Sequence, residues 1–373
     1  MFQKVILFAV ALFFNTSFIQ NSDKELSRYA SFYIGTMSDA TSDEKKGIYQ
    51  GLISEEGYLS SIQFLASAEN PTYLSLTKNN AYLLAVNSLK KGEILSFKTK
   101  PFKTGLTLVD CKLTGVGPCH VQNQSGYVLT ANYSGGTMSL HRILTNGKLS
   151  KKLDSLQHFV STPSQHKRQK QAFAHSCYFE PNSNNIISVD LGANKLQFSH
   201  IDTLHHKIVP NTFSELELPK ESGPRHLAFH PKKDFMYVVN ELNATVSFIK
   251  KNQTNNTYQL INTYATLPKN FKGKNTAAHI EISKDGRFLY MTNRGHESMA
   301  VFSIANNGNL HLVERVSVHG KHPRNFVITP NQRFILIANK DSDNICSFRR
   351  NVQTGTLTFI DEIKTPNPVC LLF

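Results

Sequence analysis

The sequence contains no tryptophan, and only 18% of its 373 residues are charged. Charge that sparse excludes a coiled coil. The five cysteines (Cys111, Cys119, Cys177, Cys346 and Cys370) are too few and too scattered for a disulfide scaffold, and an odd count leaves at least one thiol free. No CxxC pair is present to hold a structural zinc. The Walker A and Rossmann glycine patterns that cradle nucleotide phosphates are absent, so no cofactor is expected. Tyr133-Ser134-Gly135-Gly136 lacks the G-x-S-x-G elbow of a serine hydrolase. Helical periodicity is weak throughout. What remains is a chain with 40% hydrophobic residues, rich in Phe (25) and Tyr (13), which is enough to bury a core and excludes intrinsic disorder.

The net charge of +14 admits nucleic acid, acidic surfaces or small anions as partners. The positive charge is spread along the chain, however, and no helix-turn-helix, RNA-binding or zinc-finger signature accompanies it, so nucleic acid is not expected. The densest basic run, His166-Lys167-Arg168-Gln169-Lys170, reads as a solvated loop. At the N-terminus, one lysine precedes ten unbroken apolar residues, 5–14, followed by polar Asn15-Thr16-Ser17. Ten residues are too short for a membrane span, which needs about 20, but fit the apolar region of a signal peptide. Residues 1–20 are therefore expected to be a signal peptide, and the mature protein to be secreted or periplasmic with no membrane span. A mis-assigned start would leave it cytoplasmic.

A repeat organises the rest. Alternating apolar strands end in a polar residue or glycine at Gly35, Asn87, Asn132, Asp190, Asn240, Asn293 and Asn339, a mean spacing of about 51 residues. A short element with Pro or a small residue precedes six of these ends, at Pro71, Pro118, Ala174, Pro224, Ala277 and Pro323. Its offset to the strand end is 16 residues in five cases and 14 in one. A seventh copy, Asn367-Pro368-Val369-Cys370, lies at the C-terminus with no strand after it, and the strand ending at Gly35 lacks its own first element. The two ends should complete one unit together. Seven units with room for four strands each predict an all-β, seven-bladed β-propeller over residues 28–373, its ring closed by pairing of the N- and C-terminal strands.

The first strand of each blade should line the central channel, so equivalent positions form rings. The residues after each Pro or Ala are Thr72, Cys119, His175, Arg225, Ala278, Arg324 and Val369. The next are Tyr73, His120, Ser176, His226, His279, Asn325 and Cys370. Two arginines and four histidines crowd this axis, a cost usually tolerated where an anion binds. Arg225 and Arg324 offer planar forks to a carboxylate or phosphate, the alternative being a structural pair with a loop acid such as Asp190 or Glu241. Arg294 could face the same mouth, and Gly295 beside it permits an unusual turn. Glu241 follows Asn240 directly and needs a bend to enter the pocket. Beside arginines, His175 should have a lowered pKa and serve as a neutral base. His120, His226 and His279, with Arg324, are candidate substrate-binding groups. No motif requires a metal, although the three histidines could take one opportunistically. The strand-end Asn residues read as caps for backbone groups.

Eight motifs in order carry a resemblance: Gly117-Pro118-Cys119-His120-Val121, Ala131-Asn132-Tyr133-Ser134-Gly135-Gly136, Asp190-Leu191-Gly192, Gly223-Pro224-Arg225-His226, Val239-Asn240-Glu241-Leu242, Asn293-Arg294-Gly295-His296, His322-Pro323-Arg324-Asn325-Phe326 and Asn339-Lys340-Asp341-Ser342-Asp343-Asn344. The series resembles the seven-bladed propeller lactonase family, which includes bacterial 6-phosphogluconolactonases and fungal carboxy-cis,cis-muconate cyclases. The resemblance implies His175, Arg225, Glu241 and Arg294 as catalytic groups. One departure is Phe173, where relatives often carry a first histidine ahead of the one at His175. The expected reaction is hydrolysis of a small anionic sugar lactone, with His175 or Glu241 as base. The alternatives are a muconate-type lactonizing cyclase and a non-catalytic secreted propeller that binds a ligand or protein. An intact, buried His175–Glu241–Arg225 cluster would favour catalysis; a pocket blocked by Phe173 would favour binding.

Overall fold

A computed structural model describes residues 29–37, 46–100, 105–161 and 164–373. The expected signal peptide lies outside these residues. Among them, no helix is long and apolar enough to cross a membrane.

The described chain forms seven four-stranded antiparallel sheets. In six of them the strands follow chain order from one edge to the other, one of these from Pro71–Leu76 out to Leu106–Gly115. The seventh sheet is built from both ends of the chain. Its first strand is Pro368–Leu372, which pairs with Tyr29–Thr36 in the register Tyr33↔Leu372 and Ile34↔Leu371. This is the closure that the split repeat implied.

Burial differs by strand position. The second strands Tyr127–Asn132 and Phe334–Asn339 are buried at every residue, because neighbouring blades cover both faces. That is why these segments read as continuous apolar runs. Outer strands such as Lys207–Glu217 alternate between exposed and covered residues. The core consists of blade-on-blade seams rather than one central mass. Phe32 and Ile34 of the closing sheet pack with Phe334, Leu336 and Ile345 on one side, while Tyr33 and Ile48 pack with Leu83 and Leu95 on the other. Each fully buried side chain of this size contributes about 1.5–3 kcal/mol.

The inner strands share one irregularity, and it positions the site. In every sheet the pairing of first and second strands slips by one residue near the channel mouth. The slips fall between Pro71 and Tyr73, Pro118 and His120, Ala174 and Ser176, Pro224 and His226, and Pro323 and Asn325. In the remaining two sheets they fall between Ala277 and Ile280 and between Pro368 and Cys370. The unpaired residues are therefore the first ring of the sequence reading: Thr72, Cys119, His175, Arg225, Ala278 with its neighbour His279, Arg324 and Val369. A β-bulge re-aims the extra side chain, and seven bulges at one level aim seven side chains at one axis.

Candidate active site

Glu241 is the centre of the cluster. It lies just beyond the strand Phe235–Asn240, and its backbone bridges two blades: its N–H donates to Gly223 O at 2.7 Å and its carbonyl accepts from Ala277 N at 3.0 Å. These two bonds supply the bend that carries the side chain inward. Its carboxylate is 3.1 Å from Arg225 Nε, 3.1 Å from Arg294 Nη2 and 2.5 Å from Arg168 Nη1, and His175 Nε2 stands 3.8 Å away. All but Arg168 are buried. The pair with Arg225 lacks hydrogen-bond alignment, which leaves Arg225 Nε and Glu241 Oε2 unsatisfied.

Each arginine is braced from behind. Arg225 Nη1 donates to Ala278 O at 2.5 Å, and Arg294 Nη2 donates to Ala277 O at 2.9 Å. Gly295 turns the chain after Arg294 at φ +113°, where a Cβ would sit 2.1 Å from Lys274 O, so only glycine fits. The alternative of a structural pair with Glu241 is thus the one observed for Arg225, and that pair lies within the cluster. Arg324 differs. Half-buried in the same ring, it has no hydrogen-bond or ion-pair partner among the described residues.

Charge states follow from these contacts. Burial pushes the Glu241 carboxyl upward, but Arg294, Arg225, His175 and Arg168 outweigh it and hold the group below the usual carboxylate range. Burial, with Arg225 beside it, keeps His175 well below the ordinary histidine value. Burial and then Arg294 bring Arg225 down to about 9, still charged at neutral pH. Glu241 thus stands as a carboxylate beside the guanidinium ions of Arg168, Arg225 and Arg294 and the neutral imidazole of His175.

His120, His226 and His279 lie in the second ring. His226 Nδ1 is 2.7 Å from His279 Nδ1, His120 packs on Tyr73 and Tyr178, and His279 packs on Phe326. Their crowding was read as a cost usually tolerated where an anion binds. Burial instead resolves it for two of them by neutralising the rings, with His120 lowered to about 3 and His226 well below its ordinary value. The arginines of the first ring keep their positive charge. Among the described residues no cluster could hold a metal ion.

Phe173 stacks on Tyr133 with centroids 4.7 Å apart. The basic run was expected to be a solvated loop. In the structure Gln169 is 1% exposed and Arg168 reaches Glu241 and the Tyr133 hydroxyl. The sequence held only a faint sign of this, an arginine five residues before Phe173. The strand-end Asn residues are structural as expected, but several bind side chains. Asn132 Nδ2 donates to Thr137 and Ser139, and Asn240 Nδ2 to Thr245 and Ser247.

Ser188, His158 and Asp190 align as hydroxyl, imidazole and carboxylate, at 3.1 and 2.8 Å. None is more than 1% exposed, so no substrate reaches them. Asp190 also accepts from Phe173 N and Ala193 N, so it ties together both ends of the segment that carries Arg168. At the opposite end of the strands, a cleft of about 540 Å³ lined by Glu180, His230 and Lys251 contains none of these groups.

The sequence matches the family model described as lactonase, 7-bladed beta-propeller, over residues 31–373. The 6-phosphogluconolactonase of Bacillus subtilis is 34% identical over 348 residues, covering 91% of this chain and 98% of its own. The solved periplasmic gluconolactonase of Pseudomonas aeruginosa aligns with a TM-score of 0.86 at 26% identity, covering 92% of this chain and 98% of its own. A solved Lactobacillus plantarum protein aligns with a TM-score of 0.86 at 27% identity, covering 92% and 99%.

Proposed function

This chain belongs to the seven-bladed β-propeller lactonase family, and on that premise we propose that it hydrolyses a small anionic sugar lactone, as a 6-phosphogluconolactonase-like enzyme. The observation that carries this reading is the buried Glu241 held by Arg168, Arg225 and Arg294, with neutral His175 beside it and Arg324 unpaired in the same ring. A lactone carbonyl becomes an oxyanion when water attacks it, and preorganised guanidinium donors stabilise that charge. Arg225 and Arg294 fill this role, and Arg324 takes the anionic substituent of the substrate. His175 removes the proton from water, because a neutral imidazole can accept one. Glu241, ionised and in ion pairs with three arginines, holds them in place.

A hydrolysis assay tests this, with spontaneous ring opening subtracted and a panel of phosphorylated and unphosphorylated aldonolactones. Turnover by the wild type should fall at least about 10²-fold in Arg225→Ala, the usual cost of losing an oxyanion donor, and similarly in His175→Ala. Absence of turnover on every lactone overturns the proposal. For localisation, the apolar run at residues 5–14 supports export. Fractionation of cells producing the full chain should recover a shortened protein outside the cytoplasm; full-length cytoplasmic protein contradicts export.

A further inference from the structure

Arg168 sits in the short 3-10 turn Lys167–Gln169, pinned by Gln169, whose Nε2 donates to Leu191 O and Asn194 Oδ1 at 3.0 Å each. The guanidinium forks. Nη1 binds Glu241 Oε1 at 2.5 Å, while Nε and Nη2 both donate to the Tyr133 hydroxyl oxygen, at 3.2 and 2.8 Å. Tyr133 follows the strand Tyr127–Asn132 directly, its ring stacked on Phe173 and set edge-on to His175 with centroids 5.3 Å apart.

A phenol oxygen has two lone pairs and one hydrogen, and a guanidinium only donates. Two N–H groups from Arg168 occupy the acceptor side, so the Tyr133 hydroxyl must direct its own hydrogen elsewhere. Among the described residues it has no acceptor for that hydrogen. The hydroxyl is therefore an oriented, unused donor at the edge of the Glu241–His175 cluster.

We propose that Tyr133 is a catalytic residue of the lactone hydrolysis, donating its proton to the departing ring oxygen, and that Arg168 is the positioning residue that orients it. This rests on the lactonase reading above. Water adds to the carbonyl carbon and loses a proton to His175, giving a tetrahedral intermediate. As the carbon–ring-oxygen bond breaks, its electron pair goes to the ring oxygen, which takes the Tyr133 proton and becomes the product hydroxyl. The phenolate, opposite the Arg168 cation, recovers through solvent the proton held by His175. The new carboxylic acid ionises to solvent, so no other reactant is needed. Burial also raises the Tyr133 pKa against the pull of Arg168, so the proton is in place at neutral pH.

The test uses the purified chain and its best aldonolactone. Tyr133→Phe keeps the ring that stacks on Phe173 and removes only the hydroxyl. Its kcat should fall about 10²-fold or more, the usual contribution of a general acid, with KM within about threefold of wild type because the group acts in the transition state. Arg168→Gln should show a comparable loss and Arg168→Lys should recover part of it. The double variant Tyr133→Phe/Arg168→Gln should be little worse than Tyr133→Phe alone, because the two act as a unit. Wild-type kcat in Tyr133→Phe, or fully additive losses in the double variant, overturns the proposal. If Arg225→Ala is impaired while Tyr133→Phe is not, the lactonase reading stands and this inference alone falls. If the wild type opens no lactone, both fall.

Discussion

Glu241 is a buried acid outnumbered by its cations, and removing its charge strands them. Glu241→Gln leaves the buried Arg225 and Arg294 without a counter-ion. Breaking a buried pair from one side costs about 3–5 kcal/mol, so the urea midpoint of Glu241→Gln should drop clearly alongside activity. An unchanged midpoint would mean that the carboxylate does not organise the site. His175 makes a separate prediction. Its active form as a base is neutral, and the neutral form exists above its pKa. Burial and Arg225 lower that pKa, so kcat/KM should stay level as pH falls through the ordinary histidine range, near 6.5, and decline only at lower pH. An acid limb centred at or above that range would remove His175 from the role.

The elements work by repeating one local irregularity. A regular strand would send successive side chains to opposite faces. The bulge in each inner strand instead turns one residue per blade toward the axis, and the sequence change from blade to blade decides whether that residue is Thr, Cys, His, Arg, Ala or Val. Asp190 performs a related task for the segment that carries Arg168, holding His158 at its start and Phe173 at its end. Asp190→Ala leaves the buried His158 and two partly buried backbone donors without this acceptor. The expected cost is about 3 kcal/mol or more, read as a lowered thermal midpoint. Through Arg168, kcat should also fall more than binding. Loss of stability with full kcat in the surviving folded fraction would show that the brace does not reach the site.

For the whole molecule, closing a ring around buried histidines makes stability depend on acidity. His120 is lowered to about 3 and His141 to about 4, chiefly by burial, and His226 and His175 are also lowered. Between their ordinary value near 6.5 and these lowered values, the unfolded chain binds protons that the folded chain refuses. Stability is therefore fully present above about pH 6.5 and is lost as pH falls, by about 1.4 kcal/mol per pH unit for each such histidine. Urea unfolding from pH 7 to 4 should show a steadily falling midpoint, and His120→Gln should flatten the slope. A midpoint that holds or rises over that interval contradicts burial of neutral rings.

Blade number and ring closure are legible in the chain alone, because both follow from a period of about 51 residues and a last repeat element that lacks its second strand. The sequence also located His175, Arg225 and Arg324, since a residue at constant offset in every repeat must occupy an equivalent place. Arg294 and Glu241 were legible as strand-end residues, though not the backbone bonds that turn Glu241 inward. The other features emerge only on folding. Arg168 lies in a segment belonging to no repeat position, where five polar residues look like any solvated loop. Its approach to Tyr133 and Glu241 spans 35 and 73 residues of chain. The charge states were hidden for the same reason. Whether a histidine is neutral or an acid ionised depends on what surrounds it, and here the surroundings come from several different blades. Local periodicity is written along the chain, whereas the electrostatics of an axis shared by seven sheets exist only once the ring has closed.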